Sequence, residues 1–220
     1  MLVLIAGMPR SGSTLSFNIA KEILKKTGST EWITSNSTEN SILSCRSKNL
    51  LIKNHNIDNL AASLIKTDAM KAICTIRDLF EAMESWMEVF GFQFDETIEA
   101  FKKWAETFQS IKSYALLIDF NDIENNLVLV IEKISAYLDI SLSALEVSDI
   151  LKKYNKNLIG TFVNKLQLDS ASVKDIGFSY YDEETFFHRN NVRNQNKMKL
   201  NQLQKDHIRK LLAEFSIFSY

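Results

Sequence analysis

The chain has 220 residues, 45% of them hydrophobic, with only six glycines and one proline, enough for one sizeable domain with a full core. Lysine and arginine total 26 against 27 aspartate and glutamate. No overall basic field is therefore available to hold a nucleic-acid backbone or an anionic membrane, and any anion site must be local. The apolar run MLVLIAG at the start is too short for a signal peptide or a membrane span, and no other stretch approaches one. Cys45 and Cys74 sit in or near apolar runs and read as reduced thiols, so the expectation is a cytoplasmic protein without a disulfide framework.

Four short runs rich in Val, Ile and Leu, at 2–6, 50–52, 72–76 and 115–118, are separated by helical patterns. Continuous apolar runs alternating with helices predict a three-layer α/β/α fold around a central parallel sheet. After the first run, Leu15, Ile19, Ala20, Ile23 and Leu24 share one helix face; after the third, Leu79, Met83, Met87 and Phe90 do the same and stop at Gly91. Further helices are predicted near 58–67, 95–112, 123–138, 142–154 and 199–215. The polar segment 28–49 and the irregular stretch 155–195, which carries the aromatic cluster FSYYDEETFF, read as long loops, the kind that serve as lids or substrate walls. The whole of 1–220 reads as one domain, a monomer or a weak homodimer.

The chemistry gathers at Gly7 to Leu15, GMPRSGSTL. A strand entering a glycine-containing turn and then a helix aims backbone N–H groups and the positive end of the helix at one point, which is an anion cradle. The G-x-x-x-x-G skeleton from Gly7 to Gly12, with Thr14 beyond, is that of a phosphate loop, and Ser11, Ser13 and Thr14 add hydroxyl donors. Ser13 stands where a nucleotide kinase carries its lysine, and the loop's cation is upstream, at Arg10.

Two more groups lie at the ends of predicted strands. LLIKNHNID places Lys53 and His55 two residues apart, so both face the same side. IRDLFEAMES places Arg77 at the end of the third run and Ser85 eight residues later. An arginine there lies in the crevice where open α/β sheets bind ligands, and its forked donors suit a phosphate.

The loop sequence Pro9-Arg10-Ser11-Gly12-Ser13-Thr14 resembles the phosphate loop of the sulfotransferase family, Pro-Lys/Arg-Ser-Gly-Thr/Ser-Thr. Lys53-Asn54-His55 is similar to the family's Lys-Thr-His segment, and Phe120-Asn121-Asp122-Ile123 to its Tyr-Glu-Asp-Leu, so the resemblance covers most of 2–138. It implies a sulfotransferase that moves a sulfuryl group from 3′-phosphoadenosine 5′-phosphosulfate (PAPS) to a hydroxyl or amine of a small-molecule or carbohydrate acceptor. The bisphosphate product is PAP, and no metal is expected. The resemblance also implies roles: Arg10, Ser11, Gly12, Ser13 and Thr14 on the 5′-phosphosulfate, Arg77 and Ser85 on the 3′-phosphate, and His55 as base, with Lys53 and Arg10 on the developing charge. Leu15 stands where the family often has an adenine-stacking Trp, and the C-terminal Arg-Lys-Gly loop has no clear counterpart. The basic segment at 188–199, with His188, Arg189, Arg193 and Lys197, occupies its region. A small-molecule kinase and a non-catalytic nucleotide-binding protein are the competing readings; Asp119 and Asp122 read as capping residues rather than catalytic acids.

Overall fold

The computed structural model describes residues 1–175, 180–189 and 199–218. Among them, five strands form one parallel sheet: β1 (Leu2–Ile5), β2 (Thr30–Thr34), β3 (Asn49–Lys53), β4 (Lys71–Ile76) and β5 (Leu116–Asp119), in the order β2-β3-β1-β4-β5. The helices, in chain order, are α1 (Ser13–Lys25), α2 (Thr38–Ser44), α3 (Asn59–Lys66), α4 (Leu79–Phe90), α5 (Phe94–Gln109), α6 (Phe120–Asn125), α7 (Leu127–Tyr137), α8 (Ala144–Lys153), α9 (Lys156–Asn164) and α10 (Gln202–Leu212). A short antiparallel pair, β6 (Val173–Asp175) with β7 (Tyr180–Asp182), lies apart from the main sheet.

Strand period 2 sorts the core into two faces. Val3 and Ile5 of β1 join a cluster with Phe17, Ile23, Val130 and Ile134, supplied by α1 and α7. Leu4 and Ala6 join the other, with Met83, Phe101, Trp104 and Ile208 from α4, α5 and α10. Both faces of the sheet are thus covered, as the continuous apolar strands require. Central β1 lies between β3 and β4, so the chain changes direction across the sheet there, and the crevice for a ligand opens beyond the carboxyl ends of these three strands.

Segment 28–49 is not a loop, as its polarity suggested, but holds β2 and α2. β2 pairs only with β3, and its sequence TEWIT ends exposed; an edge strand wears polar side chains, which hides it from an apolar-run criterion. α2 is a seven-residue helix whose N-cap Ser37 accepts from Asn40 N. Likewise 155–195 contains α9 and the β6–β7 pair. The helix predicted at 123–138 is two, broken at Asn126, whose backbone leaves the helical region (φ −145°, ψ 64°) while its side chain caps α7. Cys45 and Cys74 are both free, and burial pushes the Cys74 thiol up to about 12.

Candidate functional site

The loop after β1 is held on both sides by continued sheet pairing. Ala6 N donates to Ile73 O (2.9 Å), Met8 N to Thr75 O (2.8 Å), and Asn54 N to Ile5 O (3.1 Å). Trp104 Nε1 donates to Ala6 O at 2.9 Å from α5, satisfying a fully buried carbonyl. Ser11 is fully buried, and its hydroxyl bridges Met8 O (2.6 Å) and the backbone and side chain of Thr75. Gly7 is a close-approach glycine: a Cβ there would lie 2.0 Å from Thr75 Oγ1 and 2.7 Å from Ser13 Cβ. Gly12 sits at φ 89° and a Cβ on it would strike Ile123 Cδ1 at 2.7 Å, so contact dictates both glycines of the skeleton and turn geometry the second as well.

Arg10 is at φ 62°, a left-handed conformation that costs a non-glycine residue roughly 1 kcal/mol or more. Immediately after it, α1 starts with Gly12 as N-cap, no side-chain cap and no acidic residue in its first turn. The positive helix end therefore carries no neutralising acid from its own first turn.

Lys53 and His55 come from the end of β3, which pairs with β1 in the register Ile5↔Lys53. His55 Nδ1 lies 2.7 Å from Gly7 O. A carbonyl only accepts, so Nδ1 carries the proton and Nε2 keeps its lone pair. Burial, with the Lys53 ammonium next and Arg10 behind it, pushes His55 down to about 4 against the opposing Gly7 bond, so the imidazole is neutral at pH 7. Lys53 is itself pushed down to about 8 by burial and by Arg10. Arg10 is pushed down to about 10 by burial and by Arg77, with Glu88 opposing. These cations depress one another because they share a poorly solvated space.

Arg77 follows β4 and its guanidinium lies over the Phe120 ring, 4.2 Å from the centroid. It donates to Glu81 Oε2 (2.8 Å) and to Arg10 O (3.4 Å), while its Nε is buried without a partner. Ser85 does not pair with Arg77: its hydroxyl accepts from Arg10 Nε at 3.1 Å. Asp119 caps α6 as read, whereas Asp122 lies within that helix and takes an ion pair from Lys133 instead of capping it. Leu15 is half-buried and packs against the core face shared by α1 and α7.

The structure gives two groups a place that sequence reasoning did not: an aromatic cluster, and His188, which was named only within the basic segment. Trp86, Phe90 and Phe92 form a ring cluster in which Trp86 and Phe92 stack (5.4 Å, 7°), and Trp86 meets His55 edge-on at 6.3 Å. Arg10 lies 5.7 Å from the Phe90 centroid. Helical spacing from Trp86 to Phe90 was visible, but it reads equally as core. The second group is His188, whose ring packs on Phe90 (5.7 Å) and Tyr181 (5.2 Å) and whose Nδ1 is buried without a partner. Burial, then Lys53 and Arg10, pushes it down to about 4, and it shares the Phe90 ring with Arg10. Side chains of α1 hold it there: Asn18 Nδ2 donates to Thr185 O (2.7 Å) and Lys21 Nζ to Glu184 O.

Arg189 turns away from the crevice to donate to Val163 O (3.0 Å) and to Asn164 O. Arg193, Lys197 and Phe178 lie outside the described residues. Tyr181 and Phe187 pack with the core, with Phe187 buried. Among the described residues, no cluster of His, Cys, Asp and Glu could hold a metal, and no helix is long and apolar enough to cross a membrane.

No protein-family model matches the chain, and no curated protein matches it in sequence. Solved structures do. A mouse sulfotransferase complexed with PAP superposes with a TM-score of 0.65 at 14% identity, covering 99% of this chain and 85% of that one. Retinol dehydratase in complex with retinol and PAP gives 0.65 at 13% identity, over 96% of this chain and 80% of that one. Its complex with androsterone and the inactive cofactor PAP gives 0.63 at 11%, over 96% and 79%. The resemblance read from the loop thus extends to the whole architecture: the chain has the sulfotransferase fold.

Proposed function

We propose that the protein transfers a sulfuryl group from PAPS to an acceptor hydroxyl or amine. The observation that carries this reading is the meeting of Arg10, Lys53 and His55 at the mouth of an uncapped helix, with His55 tied through Nδ1 to Gly7 O so that Nε2 holds its lone pair. Nε2 is the base that takes the acceptor's proton, and the Gly7 bond fixes its orientation. Arg10, Lys53 and the loop N–H groups are preorganised donors for negative charge that grows on the bridging oxygen and the sulfonate. Arg77 is the group for a 3′-phosphate: its buried, unpartnered Nε and its seat on Phe120 leave a guanidinium edge in want of an acceptor. Ser85 acts through Arg10, orienting its guanidinium, rather than on the 3′-phosphate.

The fit of the donor rests on the cradle itself. Gly7 and Gly12 let the loop wrap tightly against Thr75, Ser13 and Ile123, and nothing acidic in the first turn of α1 competes with an anion.

Titration calorimetry with PAP, and with ATP plus magnesium, tests the donor; a turnover assay tests the base. PAP binds and ATP–magnesium binds more weakly if the reading holds. His55→Ala then loses turnover with PAP affinity nearly unchanged. Preference for ATP–magnesium, or wild-type turnover in His55→Ala, overturns it.

A further inference from the structure

Where β2 ends beside β3, Thr34, Ser35 and Asn36 form one wall of a cleft of about 250 Å³ whose other wall is Lys53, Asn54 and His55. Every lining side chain carries a polar atom. Ser35 is committed to its own turn, donating to Ser37 O (3.0 Å) and accepting from Ser37 N (3.1 Å), and Asn54 Oδ1 accepts from Asn56 N (3.0 Å). The Thr34 hydroxyl, the Asn36 carboxamide and the Asn54 amino group remain for a ligand. Thr34 and Asn36 are exposed, so their polarity is not spent on the fold.

A steroid or retinoid acceptor needs apolar walls, since ligand clefts bind such bodies by burying them against hydrophobic side chains. The rings of Trp86, Phe90 and Phe92 contact one another and reach His55 through Trp86, but none of them lines this cleft. The volume also falls below the range of about 300–1,000 Å³ typical of clefts for drug-sized ligands. It suits one ring bearing several hydroxyls.

We infer that this cleft is the acceptor subsite and that the acceptor is a sugar residue, read through its hydroxyls by Thr34, Asn36 and Asn54. The inference rests on the sulfuryl-transfer reading above. In the step, the sugar hydroxyl oxygen forms a bond to the sulfur while the bond from sulfur to the bridging phosphate oxygen breaks. The hydroxyl proton passes to His55 Nε2, and the bridging oxygen keeps the electron pair and leaves on PAP. Thr34 and Asn36 take no part in proton transfer and set specificity.

The test measures sulfate transfer from PAPS to a panel of methyl hexosides and N-acetylhexosaminides, against 2-naphthol and androsterone, after PAP binding has been established by calorimetry. Glycosides are sulfated and androsterone is not. Thr34→Val and Asn36→Ala each raise KM for the glycoside about tenfold, with PAP affinity unchanged. Both residues are exposed, so the variants fold. Transfer to 2-naphthol or androsterone with none to any glycoside overturns the inference and leaves sulfuryl transfer standing, as does wild-type KM in both variants. Failure to bind PAP removes the reading on which it rests, and the inference with it.

Discussion

Gly7→Ala is the sharpest perturbation of the cradle, because the structure says where the added methyl goes. It would lie 2.0 Å from Thr75 Oγ1, 2.7 Å from Ser13 Cβ and 3.2 Å from Ser11 Oγ. Thr75 is fully buried and β-branched, so it has no alternative rotamer to offer, and its hydroxyl is held by Ser11. The methyl must either push β1 from β4 at the Met8 N to Thr75 O bond or break the Ser11–Thr75 contact. Overpacking costs about 1–3 kcal/mol, and leaving a buried hydroxyl unpaired about 1–3 kcal/mol more. The expected loss is therefore about 2–6 kcal/mol, a large part of a typical domain's stability. Thr75→Ala alone costs about 1–2 kcal/mol, since Ser11 keeps its two carbonyl acceptors. In the double variant the worst collision is gone and the Ser13 and Ser11 contacts remain, so the two costs sum to less than additive by about 1–3 kcal/mol. Urea unfolding of the four proteins, with unchanged m, reads this directly. Additivity within about 0.5 kcal/mol would refute the claim that Gly7 is required by the approach of Thr75.

The other predictions concern charge. Arg77→Lys keeps the charge but loses the fork, so PAP affinity falls about tenfold or more while adenosine 5′-phosphosulfate, which lacks the 3′-phosphate, is affected little; calorimetry with both ligands checks it. His55 is depressed to about 4 by burial and by Lys53 and Arg10; a bound anion offsets those two cations, so the acid limb of kcat lies at higher pH than that of kcat/KM. Coincident limbs in the two pH profiles count against the placement of the sulfonate between Lys53 and Arg10. His55 and His188 both titrate near 4 in the fold and near 6.5 when unfolded, so the unfolded chain binds more protons between these values. Stability is full above pH 6.5 and falls as pH drops toward 4, by at most about 1.4 kcal/mol per pH unit for each histidine, and His55→Asn flattens the slope of urea midpoint against pH.

What was legible in the sequence is what local chain order decides. Gly7 to Thr14, Lys53, His55 and Arg77 all follow apolar runs directly, and a run that ends in the sheet delivers the next residues to one crevice whatever the rest of the chain does. What escaped depends on partners far along the chain. β2 carries no apolar signature because its outer edge meets solvent, and only its pairing with β3 makes it a strand. The break at Asn126 could not be told from a helical interior by periodicity, since the apolar stripe continues across it. Ser85, which the resemblance sets with Arg77 on a 3′-phosphate, also accepts from Arg10, 75 residues away, a contact no local spacing announces. His188 follows a stretch whose backbone at 184–185 is gripped by Asn18 and Lys21 of α1, far away in the chain.

The order in which the charges depress one another carries the functional argument furthest. Arg10 is lowered by Arg77, Lys53 by Arg10, and both histidines by Lys53 and Arg10. A fold gains nothing from gathering like charges in a poorly solvated space at the positive end of a helix; each raises the cost of the next. Nearby acids do not cancel the set. Glu88 opposes the lowering of Arg10 without reversing it, and Glu81, 60% exposed in its side chain, pairs with Arg77. The stored repulsion is released by a ligand that brings negative charge and no compensating cation. In the proposed reading, a nucleotide bearing a 3′-phosphate and a 5′-phosphosulfate would do so at both ends of the cluster, with Arg77 at one and Arg10 with Lys53 at the other. A nucleotide triphosphate chelated by a divalent metal brings part of the repulsion back with it. The displaced cation that began as a defect in the phosphate loop, Arg10 in place of a lysine at position 13, is then the residue through which the two ends of the site are coupled.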